Sequence, residues 1–420
     1  MKYHAINPYF PLTVSLCLFA VSFFYPDSGW RTLVGEENLN FLNLQSLAFF
    51  LACVLLFVCG VAAVNHSGLR FSGSVVFYGE SFSFERRPGI LLLPVLLSVI
   101  LVMTLYLLYL DYRVPGFVSY VFTGRGGEAK YLITSGELKF STLQNVAVPV
   151  VAWAAYRYLD IKRKWGGSIP WVGAVLFLTV SIVIFVDVVT VARYALMPLF
   201  ISLFVIFMKV SIFDNNKRSH LFVSLRFLLV LFLMIVSLFI VFSYLRGVKD
   251  VTGVFSMILG YGPVSFNRLA ALLQGNLSFE YAGDFVYIVP EPFLTACRWL
   301  AGMAPVSGHD VWLSEFDSVA QSGLNGDFIW ATTFGYIYDS IGYFSLVYFF
   351  FYGCLTAMFW KRFLSGRTSG IMFYCAIYFS IFFWFGFNYI VGFFVYYLLA
   401  YLLITVWEKT IDAICVGRQS

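Results

Sequence analysis

Long apolar runs are the feature of this sequence that most constrains its fold. Ten stretches are apolar over most of their length, at about 9–25, 41–64, 90–110, 141–159, 169–187, 191–210, 220–244, 328–359, 370–387 and 389–407. A helix that crosses a bilayer needs about 20 such residues, and its backbone polar groups must be satisfied internally. The predicted fold class is therefore all-α, a polytopic transmembrane helix bundle of about ten spans. The run 328–359 either tilts or begins as a separate half-buried helix.

Composition excludes most other classes of protein. Hydrophobic residues make up 60% of the chain and charged residues only 12%, whereas soluble domains are about 25% charged. The sequence has no phosphate loop, nucleophile elbow, zinc-protease helix or paired-cysteine motif, which disfavours a nucleotide-driven motor. Only Cys297 falls in the large loop described below, so we expect no disulfide framework and no zinc site there. No nucleic-acid partner is expected either, because the basic residues lie between apolar runs.

Lysine and arginine are distributed unevenly between the segments that join the runs. If the N-terminus faces the cytoplasm, 17 of the 27 lysines and arginines fall in inner segments and ten in outer segments, although the inner segments are much shorter. Basic residues accumulate on the cytoplasmic side of membrane proteins. Both termini are therefore predicted to be cytoplasmic.

The segment 245–327 is predicted to be a large outer loop within a single integral membrane domain that covers residues 1–420. Loops longer than about 15 residues are usually functional or disordered, and this one is rich in aromatic and aliphatic residues. Residues 251–273 have the pattern of an amphipathic helix that breaks at Gly260–Pro263 and lies on the membrane surface. The outer face is where we expect the chemistry.

Cations on the outer side run against the charge bias and are candidate ligands for phosphate groups. They are Arg193, Arg246, Lys249, Arg268 and Arg298. Arg193 follows Asp187 at a tight turn between two runs, and it either binds a ligand or pairs with Asp187. Arg246 and Lys249 are one helical turn apart, either as a phosphate-binding pair or as side chains that reach out of the membrane. Guanidinium groups bind phosphate oxygens in a fork, so the set could together bind a diphosphate.

Candidate general bases also lie in the outer loop. His309 is the only histidine there, and Glu291 lies between two prolines. Histidine and carboxylates are the usual general bases, but each of these groups is equally consistent with a solvated loop residue. The passage from Asn325 to Gly342 enters the eighth run with many polar groups, among them Asp339. A carboxylate inside a membrane is a functional candidate, and its alternative is hydrogen bonding between helices through Thr332 and Thr333.

Three passages of the chain resemble the bacterial oligosaccharide repeat-unit polymerases, the Wzy-type O-antigen polymerases. They are Val191-Ala192-Arg193-Tyr194, Tyr244-Leu245-Arg246-Gly247 leading to Gly260-Tyr261-Gly262-Pro263, and Asn325 followed by Thr332-Thr333-Phe334-Gly335-Tyr336-Ile337-Tyr338-Asp339-Ser340-Ile341-Gly342. The number of runs, the predicted sidedness and the large loop in the second half are also similar to this family. In the family a glycine pair often accompanies the aspartate, whereas here Ser340-Ile341 separates Asp339 from Gly342.

The resemblance implies a glycosyltransferase of the bacterial inner membrane with a fold like that of the GT-C lipid-linked-sugar transferases. The donor and acceptor would be undecaprenyl-diphosphate-linked oligosaccharides, joined at the periplasmic face into O-antigen or a related surface polysaccharide. The reaction would use no nucleotide sugar, no metal and no cofactor. The five cations would bind the diphosphate, and Tyr261, Asn325 and Asp327 the sugars. His309, Glu291 or Asp339 would serve as catalytic acid or base. A chain-length-regulating copolymerase is an implied partner.

Two other functions compete with the polymerase. An O-antigen ligase uses the same donor but transfers the polymer to another acceptor. A polysaccharide flippase or other transporter would place polar groups at the midplane of the membrane in broken helices. Here the polar groups crowd toward one face, which favours an enzyme over a transporter.

Overall fold

The computed structural model describes residues 4–36, 40–66, 88–125, 141–165, 169–190, 193–214 and 262–416, with short pieces between 233 and 260. Within these ranges the chain is helical and contains no strand. The described helices of ten or more residues are α1 (Leu12–Phe23), α2 (Leu44–His66), α3 (Pro88–Arg113), α4 (Ser141–Trp165), α5 (Pro170–Val189), α6 (Arg193–Asp214), α7 (Pro263–Leu273), α8 (Glu291–Leu300), α9 (Gly308–Gln321), α10 (Thr332–Ile341), α11 (Ser345–Leu364), α12 (Thr368–Phe382) and α13 (Tyr389–Val416).

Helices occupy the positions of the predicted runs, except that most of the run 220–244 lies outside the described residues. Five helical segments within the described part are long and apolar enough to cross a membrane: Leu44–His66, Gly89–Arg113, Pro170–Val189, Thr332–Leu364 and Tyr389–Cys415. Three shorter apolar helices accompany them, at Leu12–Phe23, Leu196–Ser211 and Thr368–Phe382. The chain thus has the all-helical, multi-pass character predicted, while the number of ten spans stays a prediction.

The helices α2 and α11 form the closest pair in the bundle, because glycines meet where they cross. A Cβ added at Gly60 would lie 2.0 Å from the carbonyl oxygen of Phe350, and one added at Gly353 would lie 2.2 Å from that of Phe57. No side chain fits at such distances. Small residues allow the backbones of apolar helices to approach, and the resulting packing substitutes for a hydrophobic driving force that lipid does not provide.

The predicted run 328–359 contains two helices rather than one continuous span. Gly342 separates α10 from α11 with φ of 58° and ψ of −139°, a conformation that is open to glycine but not to other residues. The run therefore contains a helix boundary at Gly342, while its tilt and its position relative to a membrane stay predictions. This break leaves α10 and its aspartate against the loop that precedes it, and α11 forms the long apolar part of the run.

Helix α7 begins at Pro263, where the sequence predicted a break, but the prediction that it lies on the membrane surface is wrong. All of its residues are buried. It packs against α1, α2 and α10. Its polar side chains find acceptors and donors inside: the backbone N–H of Phe41 donates to Asn267 Oδ1 at 2.7 Å, and Arg268 pairs with Glu36. The amphipathic pattern thus reflects buried polar partners instead of water or lipid headgroups.

Contacts between helix ends define two opposite ends of the bundle. At one end α10 contacts the first turns of α2, where the ring centroids of Phe49 and Tyr338 lie 5.2 Å apart. At the other, Lys361 near the end of α11 donates to the carbonyl of Val64 near the end of α2, at 2.7 Å. We call the segment 263–341, which includes α7 to α10, the cap. The first end is then the cap end, and the second is the opposite end.

Candidate functional site

A buried ion pair between Glu36 and Arg268 joins the cap to the N-terminal part of the chain. Arg268 is 0% exposed and Glu36 is 2% exposed. Nη2 of Arg268 donates to Glu36 Oε1, Nε donates to the carbonyl of Phe328 at 2.9 Å, and Nη2 also donates to that of Asn325 at 3.1 Å. Burying two charges is favourable only when their remaining hydrogen bonds are satisfied, and here backbone carbonyls satisfy the guanidinium.

This geometry assigns Arg268 to positioning, because protein acceptors already surround its guanidinium. The sequence placed Arg268 among the diphosphate ligands, but a side chain with no exposed surface does not reach a ligand without rearrangement. Asn325, which the sequence placed among the sugar ligands, is engaged in the same way. Its amide Nδ2 donates to the carbonyl of Val34 at 2.6 Å, and its backbone N–H donates to Glu36 Oε1 at 3.0 Å. Asp327 next to it is exposed.

A second group, the acid–tyrosine cluster, consists of Tyr287, Glu315, Tyr336 and Asp339. The hydroxyl of Tyr287 donates to Glu315 Oε1 at 2.9 Å, and the hydroxyl of Tyr336 lies 3.4 Å from Glu315 Oε2. The two tyrosine rings pack 4.5 Å apart. Three elements meet here: the loop before α8, then α9, then α10.

Burial controls the protonation of Glu315. The side chain of Glu315 is buried, and loss of hydration raises its pKa from the ordinary 4.5 to about 8, although the hydrogen bonds from Tyr287 and Tyr336 act in the opposite direction. Burial also raises the pKa of the Tyr287 hydroxyl, and the nearby Glu315 adds to this increase. A proton therefore remains on Glu315 in most molecules at neutral pH. A strongly shifted carboxyl group with specific partners is a marker of a functional site.

Asp339 is the accessible carboxylate of the cluster. It is half-buried, and its Oδ2 accepts a hydrogen bond from the backbone N–H of Phe279 at 2.9 Å. That bond fixes the carboxylate and leaves Oδ1 without a hydrogen bond to the described part of the chain. The arrangement provides one oxygen that is held and one that can accept a proton. Asp339 is the predicted base that lies in this cluster, close enough to Tyr287 to act on it electrostatically.

The start of α10 is held in an unusual backbone conformation beside the cluster. Thr332 has φ of 63°, which is rare for a β-branched residue. Its Oγ1 accepts from the N–H of Gly335 at 3.1 Å, and the N–H of Thr333 donates to the carbonyl of Trp384 at 2.8 Å. As the alternative, the sequence predicted hydrogen bonds between helices through these threonines and Asp339. In the structure the N–H of Thr333 bonds to the turn after α12 instead, and its side-chain oxygen is buried without a hydrogen bond to the described residues. Strain of this type persists where the surroundings impose it, often at functional sites.

His309 and Glu291 lie together at the exposed junction between α8 and α9, apart from the hydrogen bonds of the cluster. Both are exposed. The carboxylate of Glu291 accepts from the N–H of Gly308 at 3.4 Å, so that it lies beside the residue that precedes His309. The imidazole of His309 is 6.0 Å from the ring of Trp312. The structure thus places two predicted bases near each other at the surface of the cap.

Arg298 is the predicted phosphate ligand with a described, partly accessible guanidinium. Its side chain is 17% exposed and Nη1 donates to Asp284 Oδ1 at 2.6 Å. Its Nε donates to the carbonyl of Ala304 at 2.7 Å. The pair joins α8 to the turn that precedes it. Four of the predicted ligands lie outside the described residues: Arg246, Lys249, Tyr261 and the side chain of Arg193. Their roles therefore stay predictions.

Asp187, at the end of α5, pairs with a residue that the sequence did not indicate. Its Oδ1 accepts a hydrogen bond from the amide of Gln144 in α4, and that amide is also 3.4 Å from the hydroxyl of Thr190. Asp187 is 0% exposed. Gln144 was not predicted from the sequence, because it is uncharged and lies before the apolar part of α4. Glu36 was missed likewise, because in the sequence it is one more acid between two runs.

Comparisons of the chain with protein-family models, with curated proteins and with solved structures find no match. The described residues also contain no group of three or more histidine, cysteine, aspartate or glutamate side chains that could hold a metal ion. The case for a function therefore rests on the sequence and on the contacts of the cap.

Proposed function

We propose that the protein is a glycosyltransferase that polymerises undecaprenyl-diphosphate-linked oligosaccharide repeat units at the periplasmic face of the bacterial inner membrane. The observation that supports this most is the position of the Asn325–Gly342 passage, which resembles the family pattern. The backbone N–H of Asn325 donates to Glu36 of the buried ion pair, and Asp339 lies in the acid–tyrosine cluster at the cap end of the bundle. Charged groups that are buried at one end of an apolar bundle are costly unless they serve a purpose.

Asp339 is the general base in this proposal. The acceptor hydroxyl oxygen bonds to the anomeric carbon of the donor, its proton passes to Asp339 Oδ1, and the bond between the anomeric carbon and the diphosphate oxygen breaks. The proton held by Glu315 at neutral pH keeps a second negative charge away from Asp339. A positioned base of this type contributes about 10²–10⁴-fold to a rate.

The leaving diphosphate needs positive charge, and the proposal assigns this to Arg193, Arg246 and Lys249, with Arg298 as the member that the structure describes. Stabilisation of the charge that develops on a leaving group is often the largest single contribution to catalysis. Arg268 acts differently. It connects α7 to the turn at Asn325 and Phe328, and so it positions the passage that leads into α10.

The direct test is to reconstitute the purified protein with lipid-linked repeat units and to separate the products by length. Products of two or more repeats are expected from the native chain. Asp339→Asn should reduce their rate of formation by about 10²–10⁴-fold. The matched control is Asp317→Asn, an exposed acid in α9 two residues from Glu315, which should leave the rate unchanged. If the native chain forms no product longer than one repeat, the polymerase proposal fails.

A deletion strain separates the polymerase from the ligase. Loss of the polymerase leaves single repeats on the final acceptor and no long chains, whereas loss of the ligase leaves polymer on the lipid carrier. In the reconstituted assay a transporter would give no product longer than one repeat, because it forms no glycosidic bond. A new covalent product therefore distinguishes a glycosyltransferase from a transporter.

A further inference from the structure

Helix α8 of the cap exposes an apolar stripe, which we call the α8 stripe. It consists of Phe293, Ala296, Cys297 and Leu300, all of them exposed. The spacing i, i+3, i+4 and i+7 places the four residues on one face of the helix. Leu300 at the end of the stripe is 77% exposed. A surface helix of a soluble protein turns its apolar stripe toward the core, so the α8 stripe faces the opposite way from that expected in water.

The two charged residues of α8 are engaged by other parts of the cap. Arg298 donates to Asp284 Oδ1 at 2.6 Å and to the carbonyl of Ala304 at 2.7 Å, and its side chain is only 17% exposed. Glu291, at the first position of the helix, accepts from the N–H of Gly308 at 3.4 Å. The α8 stripe itself contains no charged side chain. The helix therefore directs its charge to the protein and its apolar residues outward.

The turn that follows α8 extends this apolar surface. Residues 299–306 read Trp-Leu-Ala-Gly-Met-Ala-Pro-Val and include no charged side chain. All of them except Val306 are exposed, and Trp299 is 76% exposed. Contiguous exposed apolar surface marks an interaction site or a membrane contact, and tryptophan is enriched where a protein meets the boundary between membrane and water. The composition of the turn is thus typical of a membrane contact.

The backbone of the same turn forms its hydrogen bonds within the protein. Three successive N–H groups donate to carbonyls of α8 at 2.8–3.0 Å, those of Ala301, Gly302 and Met303. The carbonyl of Ala304 accepts from Nε of Arg298. Unsatisfied backbone groups are costly in an apolar environment, because no water is present to replace the missing partner. The turn therefore meets the requirement that contact with lipid imposes on a backbone.

Helix α8 lies against the start of α13, which is long and apolar enough to cross a membrane. The ring centroids of Phe293 in the α8 stripe and Phe394 in α13 are 6.5 Å apart. Phe394 follows Tyr389, the first residue of α13, by five positions, which is about 7.5 Å along the helix axis. Helices at a membrane surface bury their apolar face about 5–10 Å deep. The α8 stripe therefore adjoins a candidate span near the level at which that span enters the membrane.

We infer that α8 and the turn after it lie in the membrane surface at the cap end, with the α8 stripe and Trp299 in contact with lipid. The partner is the bilayer itself, bound through apolar contact and not through charge, because α8 contains one acid and one base and its arginine is paired within the cap. The sequence predicted a surface helix in residues 251–273, and the inference assigns that role to α8. It rests on the multi-pass character of the chain and does not depend on the polymerase proposal.

The test is electron paramagnetic resonance on the full chain in phosphatidylcholine vesicles. The native Cys297 of the α8 stripe carries the spin label, after alanine has replaced the other cysteines that are exposed or half-buried: Cys17, Cys59 and Cys354. Collision rates of the label are measured with oxygen, which concentrates in lipid, and with a nickel chelate, which stays in water. The ratio of the oxygen rate to the nickel rate should be about tenfold higher than for a label in water, given a depth of about 5–10 Å.

The matched control is Gln321→Cys in a chain that also carries Cys297→Ala, because Gln321 is an exposed polar residue at the end of α9. Equal ratios at the two positions would overturn the inference. Low collision rates with both reagents at Cys297 would also overturn it, and spin–spin broadening would then identify a second copy of the chain as the partner. If a labelled variant does not elute as a folded protein, the native chain is irradiated with a photoreactive phosphatidylcholine. Crosslinks should form within residues 293–303 and not within 317–321, and their absence from 293–303 would contradict the inference.

Discussion

The two ends of the bundle bury charge in different ways. At the cap end, Arg268 donates to Glu36 and to the backbone carbonyls of Asn325 and Phe328, so that the protein itself satisfies the cation. At the opposite end, ion pairs form within α4 and between α4 and α13. The buried pair at the cap end joins segments that lie far apart in the chain, whereas the pairs at the opposite end join neighbouring turns of one helix and two long helices.

The cap end itself contains two kinds of charged group. In the buried ion pair, protein acceptors surround the guanidinium of Arg268, whereas Oε2 of Glu36 is buried without a hydrogen bond to the described residues. In the acid–tyrosine cluster, Asp339 keeps one carboxylate oxygen beyond the hydrogen bond from Phe279, and both oxygens of Glu315 face tyrosine hydroxyls. The comparison therefore separates Arg268, a cation enclosed by the protein, from Asp339, a half-buried carboxylate that can accept a proton.

The largest expected effect on stability comes from breaking the buried ion pair between Arg268 and Glu36. Arg268→Met should destabilise the protein by about 3–5 kcal/mol, because it leaves the Glu36 carboxylate buried without its cation. Thermal unfolding in detergent measures the change. Adding Glu36→Gln to this variant should restore part of the stability, since the uncompensated charge is then removed. A loss below about 1 kcal/mol in the single variant would show that the pair is not the structural connection described here.

Glu315 gives the next largest effect, through pH. Its pKa in the folded protein, about 8, is above the ordinary 4.5, so the folded state holds the proton more tightly than the unfolded state. The stabilisation is complete below about pH 4.5 and is lost as pH rises to about 8. At about 1.4 kcal/mol per pKa unit, the difference between 4.5 and about 8 sets an upper limit of about 5 kcal/mol on the fall in stability across this range. Glu315→Gln should flatten this dependence, while Asp317→Asn should keep it; equal curves for native and Glu315→Gln proteins would contradict the assignment.

The smallest effect belongs to the opposite end. Lys361→Met removes one hydrogen bond from a partly exposed lysine to the carbonyl of Val64. Its cost in unfolding free energy should be about 1 kcal/mol, the typical net value of such a bond. The ratio between this change and that of Arg268→Met measures the difference between the two ends. Comparable losses in the two variants would remove that distinction.

Local patterns in the sequence predicted the local parts of the fold. Apolar runs predicted the positions of the apolar helices and Pro263 marked the start of α7, whereas α8 and α9 lie within the segment that was predicted to be a loop. The charged contacts depend on residues far apart in the chain. Arg268 meets Glu36 across 232 positions, and Asp339 meets the N–H of Phe279 across 60. No periodicity encodes such pairs, so the polar face of α7 was attributed to a membrane surface, and Arg268 to the ligand.

The formation of polymer by the reconstituted protein tests the central claim most directly. Native protein, Asp339→Asn and Asp317→Asn would be incubated with lipid-linked repeat units in the same vesicles, and the product lengths compared. The account predicts products of two or more repeats from the native and Asp317→Asn proteins, with a rate about 10²–10⁴-fold lower for Asp339→Asn. Equal rates for all three proteins would contradict the role of Asp339, and the absence of any product from the native protein would contradict the proposed function.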